Sequence, residues 1–170
     1  MSRCLRGGGA YRSARMLEVC MTIPRGTGYR VLIVDDNRDL LDLITQSLTL
    51  LGDYTVVTAD NGADGLSMLM ELRPDCAVID VKMSGLDGYQ LVRALRGDPE
   101  TAAMPLIILT ALTQDHHHLA GLLAGADRYL TKPVTPSVLV EAIHEVVRLS
   151  QAERTQRFQA LLDEEADPSS

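Results

Sequence analysis

The chain is expected to fold as an α/β protein, with a doubly wound sheet of five parallel strands in the order 2-1-3-4-5 and helices on both faces. Three observations predict this. Short apolar runs rich in Val, Ile and Leu alternate with stretches of helical periodicity. The runs are continuous rather than alternating, as in strands buried on both faces. Polar residues gather where the runs end, which is where such sheets build their sites.

The elements follow in order. Arg30 to Asp35 (RVLIVD) is the first strand. Asn37 is placed to cap a helix in which Leu40, Leu41, Ile44, Leu48 and Leu51 recur at three- and four-residue spacing, and Gly52 ends it. Thr55 to Ala59 is a second, β-branched strand. Asn61-Gly62 turns the chain into a helix over Ala63–Leu72, with Leu66, Leu69 and Met70 on one face and Pro74 beyond its end. Cys76 to Asp80 is strand three, Lys82 to Gly88 a glycine-containing loop, and Tyr89 to Arg96 a helix bearing Leu91, Val92 and Leu95. Pro105 to Thr110 is strand four, Gln114 to Leu123 a weaker helix, and Asp127 to Thr131 a short fifth strand. Pro136 opens the last helix of the sheet, which turns Val138, Leu139, Ala142, Ile143, Val146 and Val147 to the core.

Charge divides the 170 residues into three parts. Residues 1–28 hold five Arg and one Glu, lack periodicity, and are read as a disordered basic leader in which Met16 or Met21 is an alternative start. Residues 29–150 hold nine Lys/Arg against seventeen Asp/Glu, and residues 151–170 hold two Arg against five acids. The total is −7. So acidic a body would repel phosphates, and the short acidic tail leaves no room for a DNA-binding domain. No apolar run reaches the length of a membrane span. Cys4, Cys20 and Cys76 lack metal or redox spacing, which suits a reducing, cytoplasmic setting.

The polar residues at the strand ends make a short set. They are Asp35 and Asp36 after strand one, Asp80 at the end of strand three, Thr110 at the end of strand four, and Lys132 after strand five. The order 2-1-3-4-5 makes strands one and three neighbours, so three carboxylates converge. Like charges about 4 Å apart repel by about 4 kcal/mol at an intermediate dielectric. A hard divalent cation relieves this, and Mg²⁺ takes carboxylate oxygens, waters and a ligand phosphate. A Lys and a Thr hydroxyl beside it supply a cation and a donor for phosphoryl oxygens. The set therefore reads as phosphoryl chemistry on a carboxylate, with an Asp as nucleophile.

These residues and their surroundings resemble the receiver domain of two-component response regulators over about residues 29–150. The resemblance rests on Val34-Asp35-Asp36-Asn37, on Asp80 through Gly88, on Leu109-Thr110-Ala111, and on Gly125 through Pro133. It implies a single-domain, flavodoxin-like regulator that is not an enzyme beyond its own phosphorylation and dephosphorylation. Asp80 would take a phosphoryl group from a histidine kinase or a His-phosphotransfer protein. Asp36, Asp80 and the Lys82 backbone carbonyl would hold Mg²⁺, with Asp35 acting chiefly through a water. Lys132 would pair with the phosphoryl oxygens, Thr110 would swing its hydroxyl onto them, and Tyr129 would rotate inward behind it. An output protein would read the face made by the fourth helix, fifth strand and fifth helix, and a homodimer is left open. Lys132-Pro133 would be cis.

One residue departs from the family's usual loop: Ser84 stands where Pro is common after the Met. Lys82 is expected at the site's rim, influencing dephosphorylation or docking. His116-His117-His118 cannot share one helical face and is read as a solvated segment rather than a metal site. Gln151 to Leu162 is expected to be a helical extension, with Phe158, Leu161 and Leu162 as an apolar patch. The rival classes are a pseudo-receiver acting as an interaction module and a Mg²⁺-dependent phosphohydrolase. The latter usually wants a second Asp two residues after the nucleophile, where this chain has Lys82.

Overall fold

A computed structural model of the chain describes residues 28–111 and 125–149, together with positions 152, 153 and 156. The described strands are β1 (Tyr29–Val34), β2 (Tyr54–Ala59), β3 (Cys76–Asp80), β4 (Leu106–Thr110) and β5 (Arg128–Thr131). The described helices are α1 (Arg38–Leu51), α2 (Gly62–Leu72), α3 (Gly88–Gly97) and α4 (Pro136–Arg148). All strand pairings are parallel, in the order β2-β1-β3-β4-β5. The expected leader, the helix over Gln114–Leu123, the three histidines and most of the tail lie outside the described residues. Ala152, Glu153 and Gln156 have helical backbone.

The sheet separates two cores. Leu32, Val34, Ala77, Ile79, Leu106 and Ile108 face one way, against Met68 and Leu69 of α2 and Leu91, Val92 and Leu95 of α3. Val31, Ile33, Val78, Ile107 and Leu109 face the other, against Leu41, Ile44 and Leu48 of α1 and Leu139, Ile143 and Val146 of α4. The alternation along each strand is the period-two geometry of a sheet covered on both sides.

Three helical faces differ from expectation. Leu51 of α1 is exposed although its seven-residue spacing from Ile44 keeps it near that stripe; it is the last residue of the helix. Met70 of α2 is also exposed, whereas Gly62, Gly65, Met68 and Leu69 are buried. Gly65 sets that face, since a Cβ there would meet Val34 Cγ1 at 2.7 Å, so α2 seats Gly65 against β1. Val138 of α4 points outward as well. The caps hold: Asn37 accepts from Leu40 N at 3.1 Å, Asn61 from Asp64 N at 2.8 Å, and Asp87 and Gln90 form a capping box on α3. Asn61-Gly62 is therefore the start of α2 rather than a separate turn.

Candidate functional site

Register brings the site together. Val34 of β1 pairs with Ile79 of β3, so the next residues, Asp35 and Asp80, emerge side by side at the carboxyl ends of adjacent strands. That is the point where the chain winds outward in both directions, the usual place for a ligand in such sheets. One oxygen from each of Asp35, Asp36 and Asp80 lies within 4.8 Å of the others. Asp35 is fully buried, Asp80 nearly so, and Asp36 is exposed, so the group opens to solvent on one side.

Local hydrogen bonds fix Asp35 and the backbone that follows Asp80. Asp35 N donates to Ala59 O at 3.1 Å, and Asp35 Oδ1 accepts from Asn37 N at 2.9 Å. Val81 N donates to Leu109 O at 3.1 Å, which continues the β3–β4 ladder past Asp80. Gly88 N donates to Val81 O at 3.1 Å, and a Cβ on Gly88 would lie 2.2 Å from Asp80 O. Only glycine lets α3 begin this close to the Asp80 backbone.

Lys132 reaches the group from β5. Its Nζ lies 2.6 Å from Asp35 Oδ2 and 2.6 Å from Asp80 Oδ1. The Lys132 amide donates to Thr110 O at 2.7 Å, and Lys132-Pro133 is cis. Thr110 is buried at the end of β4, paired with Thr131 in register. Three carboxylates face one ammonium, so two formal negative charges are uncompensated. The titration properties agree. Burial raises the Asp80 carboxyl above its usual range, the Lys132 hydrogen bond pulls it back, and the Asp35 charge adds to the rise. Burial pulls the Lys132 ammonium down, but its hydrogen bonds to Asp35 and Asp80 outweigh this and hold it above its usual value.

Tyr129 stands apart from this group, partly buried against the core on the α3 side of the sheet. Burial pushes its phenol up to about 12, opposed by a hydrogen bond with the Ala126 backbone and by the Arg96 charge. Lys82 is exposed, as expected for a residue at the rim. The sequence reading missed Arg96 and Asp127, which form a salt bridge at 3.2 Å with Asp127 almost fully buried. Most of Arg96's partners are backbone carbonyls, and these leave no trace in side-chain pattern.

The doubly wound sheet with acidic residues at its switch point defines a class, and comparison places the chain within it. Residues 31–144 match the response regulator receiver domain, and the chain belongs to that family. It is a receiver domain of two-component signalling. It is 39% identical to Protein PilH of Pseudomonas aeruginosa over 118 residues, which are 69% of this chain and 97% of PilH. It is also 39% identical to the transcriptional regulatory protein AfsQ1 of Streptomyces coelicolor, over 74% of this chain but only 54% of that one. The chain thus spans about half the length of AfsQ1 and of several other curated relatives it matches. Among solved structures, a response regulator from Chloroflexus aurantiacus superposes with a TM-score of 0.66 at 32% identity, over 72% of this chain and all of that one. The receiver domain of sensor histidine kinase PA1611 from Pseudomonas aeruginosa superposes with a TM-score of 0.65 at 28% identity, over 71% of this chain and 98% of that one. That structure has a magnesium ion coordinated in its active site cleft.

No helix among the described residues is long and apolar enough to cross a membrane.

Proposed function

We propose that the chain is a cytoplasmic, phosphorylation-dependent switch whose phosphoacceptor is Asp80. The observation that carries this reading is Lys132 Nζ held 2.6 Å from both Asp35 and Asp80 within a solvent-open cluster of three carboxylates. In the reaction an Asp80 carboxylate oxygen attacks phosphorus, the phosphorus–nitrogen bond to a donor histidine breaks, and an acyl phosphate forms. The donor is a histidine kinase or a His-phosphotransfer protein. The donor atoms are all hard oxygens and carry excess negative charge, which fits Mg²⁺ and not a thiolate- or imidazole-seeking metal. Asp36, Asp80 and the Lys82 backbone carbonyl would hold it, with Asp35 contributing through water. When bound there, Mg²⁺ supplies positive charge against the crowded carboxylates and the phosphoryl oxygens.

The remaining steps belong to the chain. Lys132 exchanges its carboxylate partners for a phosphoryl oxygen. Thr110 donates its hydroxyl to another, and Tyr129 follows inward. The changed face made by β5, α4 and the segment after β4 is then read by an output protein.

Intact-mass measurement after incubation with acetyl phosphate and Mg²⁺ tests this. One added phosphoryl group is expected in wild type and none in Asp80→Asn. No gain in wild type would favour a pseudo-receiver, and an equal gain in Asp80→Asn would move the phosphoacceptor elsewhere.

A further inference from the structure

Arg96 sits in the last turn of α3, on the face turned to the β4–β5 end of the sheet. Its guanidinium makes four hydrogen bonds. Nε donates to Gly125 O, Nη1 donates to Ala102 O at 2.9 Å and Met104 O at 2.8 Å, and Nη2 donates to Asp127 Oδ2 at 3.2 Å. Asp127 Oδ2 also accepts from Leu106 N at 2.8 Å, and Asp127 N donates to Leu106 O at 2.8 Å. Gly125 has no room for a side chain, because a Cβ there would lie 2.8 Å from Arg96 Cγ. One side chain therefore grips Gly125 and Asp127, the two ends of a tripeptide, and ties both to the entry of β4.

The middle residue of that tripeptide is Ala126, whose backbone holds the Tyr129 phenol by a hydrogen bond. Ala126 and Tyr129 both pack on the core that also includes Val92 and Leu95 of α3. Any movement of Tyr129 away from Ala126 must either break this bond or drag the tripeptide, and the tripeptide is fixed at both ends.

We propose that Arg96 is a positioning residue for the switch: by clamping Gly125 and Asp127 it fixes the Ala126 backbone and so sets how readily Tyr129 leaves its observed place. This rests on the reading of Asp80 as phosphoacceptor and Tyr129 as the coupled residue. Arg96 touches none of Asp35, Asp36, Asp80 or Lys132 in the contacts above, so its role is in coupling and not in phosphoryl chemistry. The planar fork is essential to it, since a Lys ammonium cannot span two carbonyls, a third carbonyl and a carboxylate at once.

The test uses the full chain with 3-fluorotyrosine at its five tyrosines, the Tyr129 fluorine resonance being assigned with Tyr129→Phe. Spectra are recorded with and without beryllofluoride and Mg²⁺ for wild type, Arg96→Gln and Arg96→Lys, and acetyl phosphate uptake at Asp80 is followed by mass. In Arg96→Gln the ratio of Tyr129 environments without beryllofluoride is expected to change about tenfold, the effect of losing one charge-assisted hydrogen bond, and in Arg96→Lys by less. The rate and extent of uptake at Asp80 stay as in wild type. A lowered melting temperature with an unmoved Tyr129 resonance would make Arg96 merely structural and overturn the inference. If Asp80 is loaded in wild type but Tyr129 never responds, the inference also falls while the phosphoacceptor reading stands. No uptake at Asp80 would overturn that reading itself. Arg96→Lys retains a cation beside Asp127 and gives the same readout should Arg96→Gln not fold.

Discussion

Lys132 and Arg96 both bind carboxylates, and they do so in opposite ways. Lys132 holds two carboxylates that outnumber it, in a cluster open to solvent through Asp36. Arg96 holds one carboxylate and three carbonyls, and each charge there has its complement. An ammonium is a point charge that can exchange partners without loss of geometry, whereas a guanidinium fork fixes direction as well as charge. The difference teaches where this fold keeps its freedom. The under-neutralised pair lies where a phosphoryl group would arrive, and the saturated pair lies where the backbone must stay put.

The largest expected effect separates the two cations directly. Arg96→Ala leaves three carbonyls and a buried carboxylate short of donors and should lower the unfolding free energy by about 3 kcal/mol. Lys132→Ala removes the cation between two carboxylates, but the cluster borders solvent, so about 2 kcal/mol is expected. Denaturant titration with and without Mg²⁺ then distinguishes them. At magnesium about a hundred times its dissociation constant, linkage adds about 2.7 kcal/mol. Without the Lys132 ammonium the carboxylates should bind Mg²⁺ more tightly, so, against magnesium-loaded wild type, the Lys132→Ala loss should shrink and the Arg96→Ala loss stay unchanged. If Mg²⁺ rescues both variants equally, or neither, the contrast drawn between the two sites is wrong.

How much of this was visible in the sequence follows the same line. The strands were legible because both faces are buried, so Val31–Val34, Cys76–Ile79 and Leu106–Leu109 read as unbroken apolar runs with bounds within a residue of those observed. Asp35, Asp36, Asp80, Thr110 and Lys132 were legible because topology sends strand ends to one place, and the structure does bring the three carboxylates and Lys132 together. Arg96 was not, for a physical reason. On α3 it has the spacing of an ordinary surface cation, and most of its partners are backbone oxygens. Tyr54 and His144, 2.7 Å apart between hydroxyl and Nε2, were missed likewise, because 90 residues separate them and neither belongs to a motif. Met70 and Val138 were misplaced because three- and four-residue spacing does not fix which edge of a helical stripe faces solvent, and Leu51 because spacing does not show that the helix ends there.

A smaller effect of opposite sign sharpens the picture of Lys132. Asp80→Asn removes one of its two carboxylates and leaves a balanced Lys132–Asp35 pair, so it should stabilise the metal-free protein by about 1 kcal/mol at pH 7. The sign follows from the raised Asp80 carboxyl, which burial lifts and Lys132 only partly restores. A group whose folded pKa lies above its unfolded value favours folding below the unfolded value and loses that contribution as pH rises through the folded one. Wild type therefore carries a penalty at neutral pH that Asp80→Asn lacks, and the gap should close as pH falls through the carboxylate range. Other acids are common to both proteins and cancel. Chemical denaturation in EDTA across that range would refute the assignment if the variant were the less stable at pH 7.

The smallest effect calibrates the rest. Arg38 and Asp60 approach to 2.5 Å, as close as any pair at the site, but their side chains are 74% and 36% exposed. The Arg38 hydrogen bond, with help from Asn61, holds the Asp60 carboxyl below its usual range. Its contribution is thus present above the unfolded pKa and lost as pH falls through the folded one, the reverse of Asp80. Water screens this pair, so Arg38→Ala should cost only about 0.2–1 kcal/mol at low salt and less at high salt. A loss comparable to that of Lys132→Ala would mean that proximity of charges, and not burial and imbalance, decides what an ion pair does in this protein. The uncompensated charge at the strand ends would then no longer mark out the site.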